Sequence, residues 1–210
     1  MSAEIYKPSD NAIRTMDRDL LRDFGRLKLA NFDEIHVIRE VTEVYRKQTE
    51  KAKKQYRRVG LDAFLIAWLL CGEDRRKGVT AASGIVTYEW VEALLRDVNP
   101  VTKYSFEKEA DRKAQRLIEA LTVTQNRDAE IDAAARAWSK QVGQYAIDIT
   151  DSAVIEAYEE ADVPEVMWMT ERDGRVCGWC NDMDGQVFRL SDVPHKPHVN
   201  CRCWTVPVLK

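Results

Sequence analysis

The sequence predicts an α+β protein, in which a mainly α-helical body precedes a small antiparallel β, cysteine-rich module. Three observations lead to this fold class. Apolar residues recur at steps of three and four through most of residues 9–163, as on the buried face of a helix. After Pro164 the pattern changes to short runs typical of strands, and four of the five cysteines lie in this last part. We therefore divide the chain into the helical body, residues 1–163, and the C-terminal module, residues 164–210.

The helical body begins with two predicted helices. The first covers residues 9–28, with Ser9 or Asp10 as its N-cap. The second covers about residues 33–59 and is closed by Gly60. Its apolar residues form one stripe, so it is a long amphipathic helix. Such a length favours a strut or a helical hairpin over a compact enzyme core.

The rest of the body is predicted to be helical with one interruption. Residues 61–71 are expected to form a short buried helix, whereas residues 72–84 are expected to form a loop, linker or hinge. Three further helices follow from apolar spacing and capping residues: residues 85–98, a helix from Ser105 through Leu121, and a helix from Asn126 to Ala161 with a break at Thr150–Asp151.

Three short strands are predicted in the C-terminal module. They cover residues 165–170, 186–190 and 202–209, and Asp173-Gly174 is a strong turn dipeptide between the first two. Strands this short, joined by short connections, favour a small antiparallel sheet.

The second half of the long helix carries a run of basic side chains opposed only by Glu50. This run favours a contact with the phosphates of double-stranded DNA or with an acidic protein surface. An ordinary solvated helix face is the alternative, and the two differ in salt dependence. The basic residues are Arg46, Lys47, Lys51, Lys53, Lys54, Arg57 and Arg58.

Charge and hydropathy exclude two broad classes. The formal net charge of −3 argues against nucleic-acid binding by bulk charge. The polar first ten residues lack the apolar core of a signal peptide, so a reducing compartment is expected. The longest apolar run, Phe64–Cys71, is too short to cross a bilayer, so no membrane span is expected.

The cysteines form two close pairs, Cys177-x-x-Cys180 and Cys201-x-Cys203, and His198 precedes the second pair. In a reducing compartment this spacing predicts a structural Zn²⁺ site. Either all four thiolates bind, which we favour, or Cys177 and Cys180 bind together with His198 and one of the last pair. Because side chains alternate along a strand, both members of Cys201-x-Cys203 can bind only if the backbone bends there.

Other interpretations of the cysteines remain open: reduced core thiols, disulfides, a redox dithiol at Cys177–Cys180, or a Cys201/His198 nucleophile pair. The chain contains no G-x-S-x-G, no phosphate-binding glycine loop and no His-Glu-x-x-His. We therefore predict that it is not an enzyme.

The order of residues in this last part resembles the C-terminal motif of the phage Mu F-like minor head proteins, also called phage head morphogenesis proteins. The resemblance covers roughly Ala134 to Pro207, and the ending P-H-x-N-C-R-C is its most specific part. The residues that carry it are Trp168, Thr170, Asp173, Val176, Cys177, Cys180, Met183, Gly185, Phe188, Pro197, His198, Asn200, Cys201, Arg202, Cys203 and Pro207.

The resemblance implies a minor head protein of a tailed phage or prophage, present in few copies at the portal vertex. Its roles would be head morphogenesis, genome packaging or DNA ejection. Its expected partners are the portal protein, the major capsid or scaffolding protein, and double-stranded DNA. The expected location is the virion, in the head interior or at the portal vertex, and the host cytoplasm during assembly. A zinc-ribbon-like nucleic-acid-binding regulator is the first alternative, and a Cys/His hydrolase or thiol enzyme is the second.

Overall fold

The computed structural model describes residues 2–28, 34–99, 103–171, 176–199, 201 and 203–209. Within these residues, helices dominate and one small antiparallel sheet lies near the C-terminal end, which confirms the predicted α+β class. The elements are α1 (Ser2–Leu27), α2 (Glu34–Leu70), α3 (Arg75–Ile85), α4 (Tyr88–Arg96), α5 (Phe106–Val123), α6 (Arg127–Glu160), β1 (Glu165–Met169), α7 (Gly178–Met183), β2 (Val187–Arg189), the 3-10 turn η1 (Leu190–Asp192) and β3 (Trp204–Pro207).

The long helices α1, α2 and α6 pack against one another, and α5 completes the bundle. Aromatic rings fill its centre. Trp138 stacks on Phe106 at 5.5 Å and meets Tyr45 edge-on at 5.3 Å. Tyr145 contacts the same Phe106 ring at 4.8 Å. These buried rings hold the helices that the apolar spacing predicts.

Helix α2 is longer than the sequence predicts. An end at Gly60 is wrong, because the helix continues to Leu70 and includes the short helix expected over residues 61–71. A Cβ at Gly60 would lie 2.8 Å from the Val86 side chain, so this glycine permits close packing. Gly72, with φ +80°, follows the helix end and takes the left-handed conformation that glycine adopts without strain. The start predicted near residue 33 lies at the edge of the described residues.

The loop predicted over residues 72–84 is also wrong, because α3 occupies most of it. Asp74 caps this helix by accepting hydrogen bonds from the backbone N–H groups of Arg76 and Lys77 at 2.9 and 3.2 Å. Gly78 packs against the indole of Trp68, where a Cβ would come within 2.4 Å of Cδ1. Glycine therefore marks helix packing here, not a turn.

Two further predictions, the start of α1 and the break in α6, differ from the structure. Helix α1 begins at Ser2 and contains Pro8, so Ser9 lies inside the helix, where its hydroxyl donates to the Tyr6 carbonyl at 2.8 Å. The predicted break in α6 at Thr150–Asp151 is absent. The Thr150 hydroxyl donates to the Ala146 carbonyl at 2.9 Å, and the helix runs on.

The sheet has the strand order β2-β1-β3, with both pairs antiparallel. Predicted strands and observed strands coincide in place, but β3 starts at Trp204, after the last cysteine. The predicted Asp173-Gly174 turn lies outside the described residues. One core joins the sheet to the body: Val166 and Trp204 are buried in the same cluster as Ile5 and Tyr158.

Candidate metal centre

The first cysteine pair sits at the start of α7. Cys177 is the N-cap, and its Sγ accepts a hydrogen bond from the Cys180 backbone N–H at 3.4 Å. This tight turn directs both sulfurs to one side. Cys180 is buried, while Cys177 is half-buried. The pair does open a helix, as redox dithiols do, but the sheet beside it is antiparallel and lacks the βαβ setting of those motifs.

The second cysteine pair lies in the segment between η1 and β3, close to the first pair. Cys201 and Cys203 precede β3 instead of lying within it, so the alternation of strand side chains does not separate their thiols. Both are buried, and the sulfurs of Cys180 and Cys201 are 3.5 Å apart. None of the five cysteines, all of which the structure describes, forms a disulfide.

All five predicted donors come together. They form two groups, Cys177–Cys180–His198 and Cys180–Cys201–Cys203, and the donor atoms within each group lie within 4.8 Å of one another. Cys180 belongs to both groups. Tetrahedral Zn–S bonds of about 2.3 Å require sulfurs about 3.8 Å apart, close to the observed separation of Cys180 and Cys201. The cysteine-rich cluster can therefore hold a metal ion.

His198 has the hydrogen bonding of a metal ligand. Its Nδ1 lies 3.1 Å from the Val199 carbonyl, whereas its Nε2 is buried without a hydrogen-bond partner among the described residues. A histidine ligand commonly donates one ring N–H to a carbonyl, which leaves the lone pair of the other nitrogen for the metal. Neither predicted set of four, the four thiolates or the mixed set with His198, lies within one donor group, so either set would require the two groups to move closer together around an ion.

The pKa values of the four clustered thiols differ. A hydrogen bond from the Cys203 thiol lowers the pKa of Cys201 to about 5, and the pKa of Cys203 is raised correspondingly. The Cys180 backbone N–H lowers the pKa of Cys177. Burial raises the pKa of Cys180 to about 12. Cys201 and Cys177 thus deprotonate more readily than Cys180 and Cys203, and a bound divalent cation would deprotonate the remaining donors.

The apolar surroundings of the cluster are small. Trp168 is its one fully buried large side chain, with Phe188, Met183 and Val193 partly buried around the thiols. Trp179 meets the Trp168 ring edge-on at 5.6 Å. A core of this size supplies little of the free energy needed to order α7 and the cysteine segments, which is where a structural metal contributes most.

The buried position of the thiols bears on the enzyme alternatives. Cys201 has 2% of its surface exposed, so a substrate could reach its sulfur only after the module opened. A reactive cysteine normally combines a low thiol pKa with access to solvent. Cys201 has the first property without the second.

Most of the predicted DNA- or portal-contacting side chains face acidic partners within the body. Lys51 binds Asp23 of α1 at 2.7 Å. Lys53 binds Glu107 of α5 at 2.6 Å and Glu92 of α4 at 3.2 Å. These ion pairs join different helices. They neutralise the charge of Lys51 and Lys53, which the sequence predicts to be available for DNA or the portal.

The other basic side chains are more exposed. Arg46 pairs with Glu43 at 2.7 Å, Lys47 lies 3.9 Å from Asp23, and Arg58 lies 3.9 Å from Asp62. The Arg57 guanidinium covers the Tyr88 ring at 4.7 Å, and Lys54 is exposed. A DNA or portal contact by this helix stays a prediction.

A polar network that the sequence does not reveal connects the helical body to the backbone of Cys203, one of the candidate donors. The Lys196 ammonium donates to the Tyr6 hydroxyl at 2.6 Å and binds Asp151 at 2.8 Å. The Tyr6 hydroxyl donates to Asp151 and lies 2.9 Å from the Cys203 carbonyl. We call Tyr6, Asp151 and Lys196 the seam network. Its members are up to 190 positions apart, so no local pattern in the sequence indicates it.

Comparison of the chain with protein-family models, curated proteins and solved structures finds no match. The resemblance to phage head morphogenesis proteins therefore depends on the motif residues alone. Within the described residues, no helix is both long enough and apolar enough to span a bilayer.

Proposed function

We propose that the chain is a minor head protein of a tailed phage or prophage, bound at the portal vertex and acting in head morphogenesis, genome packaging or DNA ejection. The observation that carries this proposal is the clustering of the motif residues. Cys177, Cys180, His198 and the last cysteine pair form two adjacent donor groups that share Cys180, and Trp168 and Phe188 of the motif pack around them. Residues scattered over the motif thus serve one structural unit.

We infer that this unit holds one Zn²⁺ in a structural role. Thiolate and imidazole donors at this spacing suit zinc, and four protein donors would leave no open coordination position for a substrate. The ion would fix α7 against the start of β3 and so close the C-terminal module. Cys177, Cys180 and two of the three donors His198, Cys201 and Cys203 would bind it.

The partners follow from the proposal. The portal protein is the main partner, and the major capsid or scaffolding protein is a second candidate during assembly in the host cytoplasm. The exposed basic residues of α2, such as Lys54 and Arg58, are our candidates for contact with the portal or with double-stranded DNA. A non-enzymatic role agrees with the buried thiols.

The proposal is tested in particles purified from the phage or prophage that encodes the chain. We expect mass spectrometry to detect the chain at a few copies per particle, and the chain to co-purify with the portal oligomer. Particles stripped of the chain by a nonsense mutation, and the same mutant complemented in trans, are the controls. If the chain is absent from particles and binds double-stranded DNA alone with a steep salt dependence, it is a regulator instead.

The metal is tested separately by elemental analysis of protein purified without added zinc. We expect about one zinc ion per chain, since structural sites bind tightly. Five titratable thiols with less than about 0.2 zinc per chain would contradict a zinc-bound module.

A further inference from the structure

A cavity of about 740 Å³ lies where the helical body meets the C-terminal module. Its walls come from the start of α1, the end of α4, one face of α6, and the η1 turn with the loop that follows it. Leu94, Ile155, Leu190 and Val193 provide half-buried apolar surface, and Val98 at the rim is 68% exposed. The metal cluster lies outside this cavity, so the cavity is a separate feature.

The charges around the cavity are mostly negative. Five carboxylates line it, from Asp97, Asp148, Asp151, Glu156 and Glu159, against one ammonium group, from Lys196. Asp151 is already paired with this lysine at 2.8 Å, and Glu156 accepts a hydrogen bond from the Trp90 indole at 3.1 Å. Asp148 accepts hydrogen bonds from the neutral side-chain amides of Asn99 and Gln144, which leave its negative charge in place. Asp97 and Glu159 are exposed at the rim. A cation entering the cavity would therefore meet surplus negative charge, whereas phosphates would be repelled.

The shape favours an extended segment over a compact ligand. Positions 148, 152, 155 and 159 of α6 are spaced by three or four residues, so they follow one face of the helix. That face extends over about 16 Å at 1.5 Å per residue. About five residues of extended chain have this length. Apolar side chains of α4 and η1 line the same cavity as the acidic face of α6, as a segment with alternating basic and apolar side chains would require.

We propose that this cavity is a docking groove for an extended segment of a partner protein that carries a lysine or arginine next to apolar side chains. One basic side chain lies beside Asp148 and a second, about 16 Å further along α6, lies beside Glu159. The apolar neighbours of these side chains cover Leu94, Val98 and Ile155. The inference goes beyond the proposed head function and does not rest on it, since the groove is defined by its own walls and charge.

The test selects from a random heptapeptide display library on the full, metal-loaded chain. We expect enrichment of peptides with lysine or arginine beside apolar residues. The best peptide is then synthesised, and its dissociation constant is measured by fluorescence polarisation for three variants. We expect Asp148→Asn to weaken binding by about tenfold or more and Glu159→Gln by about threefold, because a partly buried charge contributes more than an exposed one. Glu160→Gln, an exposed neighbour outside the cavity, should leave binding unchanged.

The proposal would be overturned by no enriched peptide, by enrichment of acidic peptides, or by equal binding by the Glu159→Gln and Glu160→Gln variants. Glu159 is exposed, so its substitution keeps the test valid even if Asp148→Asn disturbs folding. Displacement of the peptide by a double-stranded oligonucleotide would also overturn it. The particle experiment has no bearing on these measurements, so the two proposals can fail independently.

Discussion

The helical body and the C-terminal module are held together by different means. The body has a large buried cluster in which aromatic and aliphatic side chains from α1, α2, α4, α5 and α6 meet. The cluster inside the module has four fully buried residues among those described, and three of them are cysteines. The difference suggests that apolar packing is sufficient for the body and for the strands that share its core, whereas α7 and the cysteine segments depend on the donors and the Zn²⁺ that we propose there.

The largest expected effect comes from removing the donor that both groups share. We expect Cys180→Ser to weaken metal binding by at least about 100-fold and to unfold α7 and β2. The body should stay helical, and β1 and β3 should stay packed on it through Val166 and Trp204. Hydrogen exchange by mass spectrometry would show lost protection in residues 176–189 and retained protection in α2 and α6. Chelation of the wild type should reproduce the pattern.

Cys71→Ser is the matched control for that variant. Cys71 is half-buried in the turn after α2, where its thiol donates to the Ala67 carbonyl at 3.4 Å, and it lies outside both donor groups. Its metal content and exchange should equal those of the wild type. Simultaneous loss of helical protection in Cys180→Ser would mean that the body also depends on the metal.

The reverse experiment loosens the body and leaves the module intact. Leu20 is 1% exposed in the bundle core, whereas its neighbour Leu21 is 61% exposed. We expect Leu20→Ala to reduce the free energy of unfolding by about 3 kcal/mol, because it removes buried methyl groups and leaves a cavity. Leu21→Ala should change it by less than about 0.5 kcal/mol. Urea denaturation measures both, and the zinc content of both folded variants should match the wild type.

The helices and the candidate donors are the features that the sequence predicts well. Apolar spacing locates α1 and α2 because each buries one face, and the spacing of the cysteines and His198 locates the candidate donors. Both signals are local. The shift from helical to strand spacing at Pro164 likewise identifies the sheet.

The errors arise where distant packing decides the backbone. Gly60 and Gly78 were expected to mark an end and a loop, but each lies inside a helix where another side chain packs against its bare Cα. The first turns of α1 form because Ile5 and Tyr6 contact the C-terminal module. No neighbouring residue in the sequence carries that information. The same holds for the docking groove, whose walls come from both ends of the chain.

A pH-dependent effect is expected on the body side of the seam. Burial, and then the charge of Asp151, raises the pKa of Asp148 from 3.8 to about 6, against hydrogen bonds from Gln144 and Asn99 and the charge of Lys196. The folded state therefore holds this proton between about pH 4 and 6 more tightly than the unfolded state. The stability that this proton provides is present at low pH and is lost as the pH rises through 6.

Asp148→Asn removes this dependence. Relative to the wild type, the variant should gain about 2 kcal/mol in free energy of unfolding between pH 4.5 and pH 7.5. Urea denaturation at the two pH values measures the change. Glu160→Gln, exposed in the same helix, should differ from the wild type by a constant amount. A constant difference for Asp148→Asn as well would show that this carboxyl group does not hold its proton.

The smallest expected effect concerns the seam network itself, where body and module meet. Tyr6→Phe removes the hydroxyl that binds Asp151 and Lys196 and lies beside the Cys203 carbonyl. We expect a loss of about 1 kcal/mol in stability and faster hydrogen exchange in the first turns of α1, with unchanged zinc content. Tyr88→Phe, at an exposed ring, is the control and should do neither. If Tyr6→Phe also lowers the metal affinity, the network supports the donors through the Cys203 backbone, and body and module are coupled by this network as well as by the core that Val166 and Trp204 share with the body.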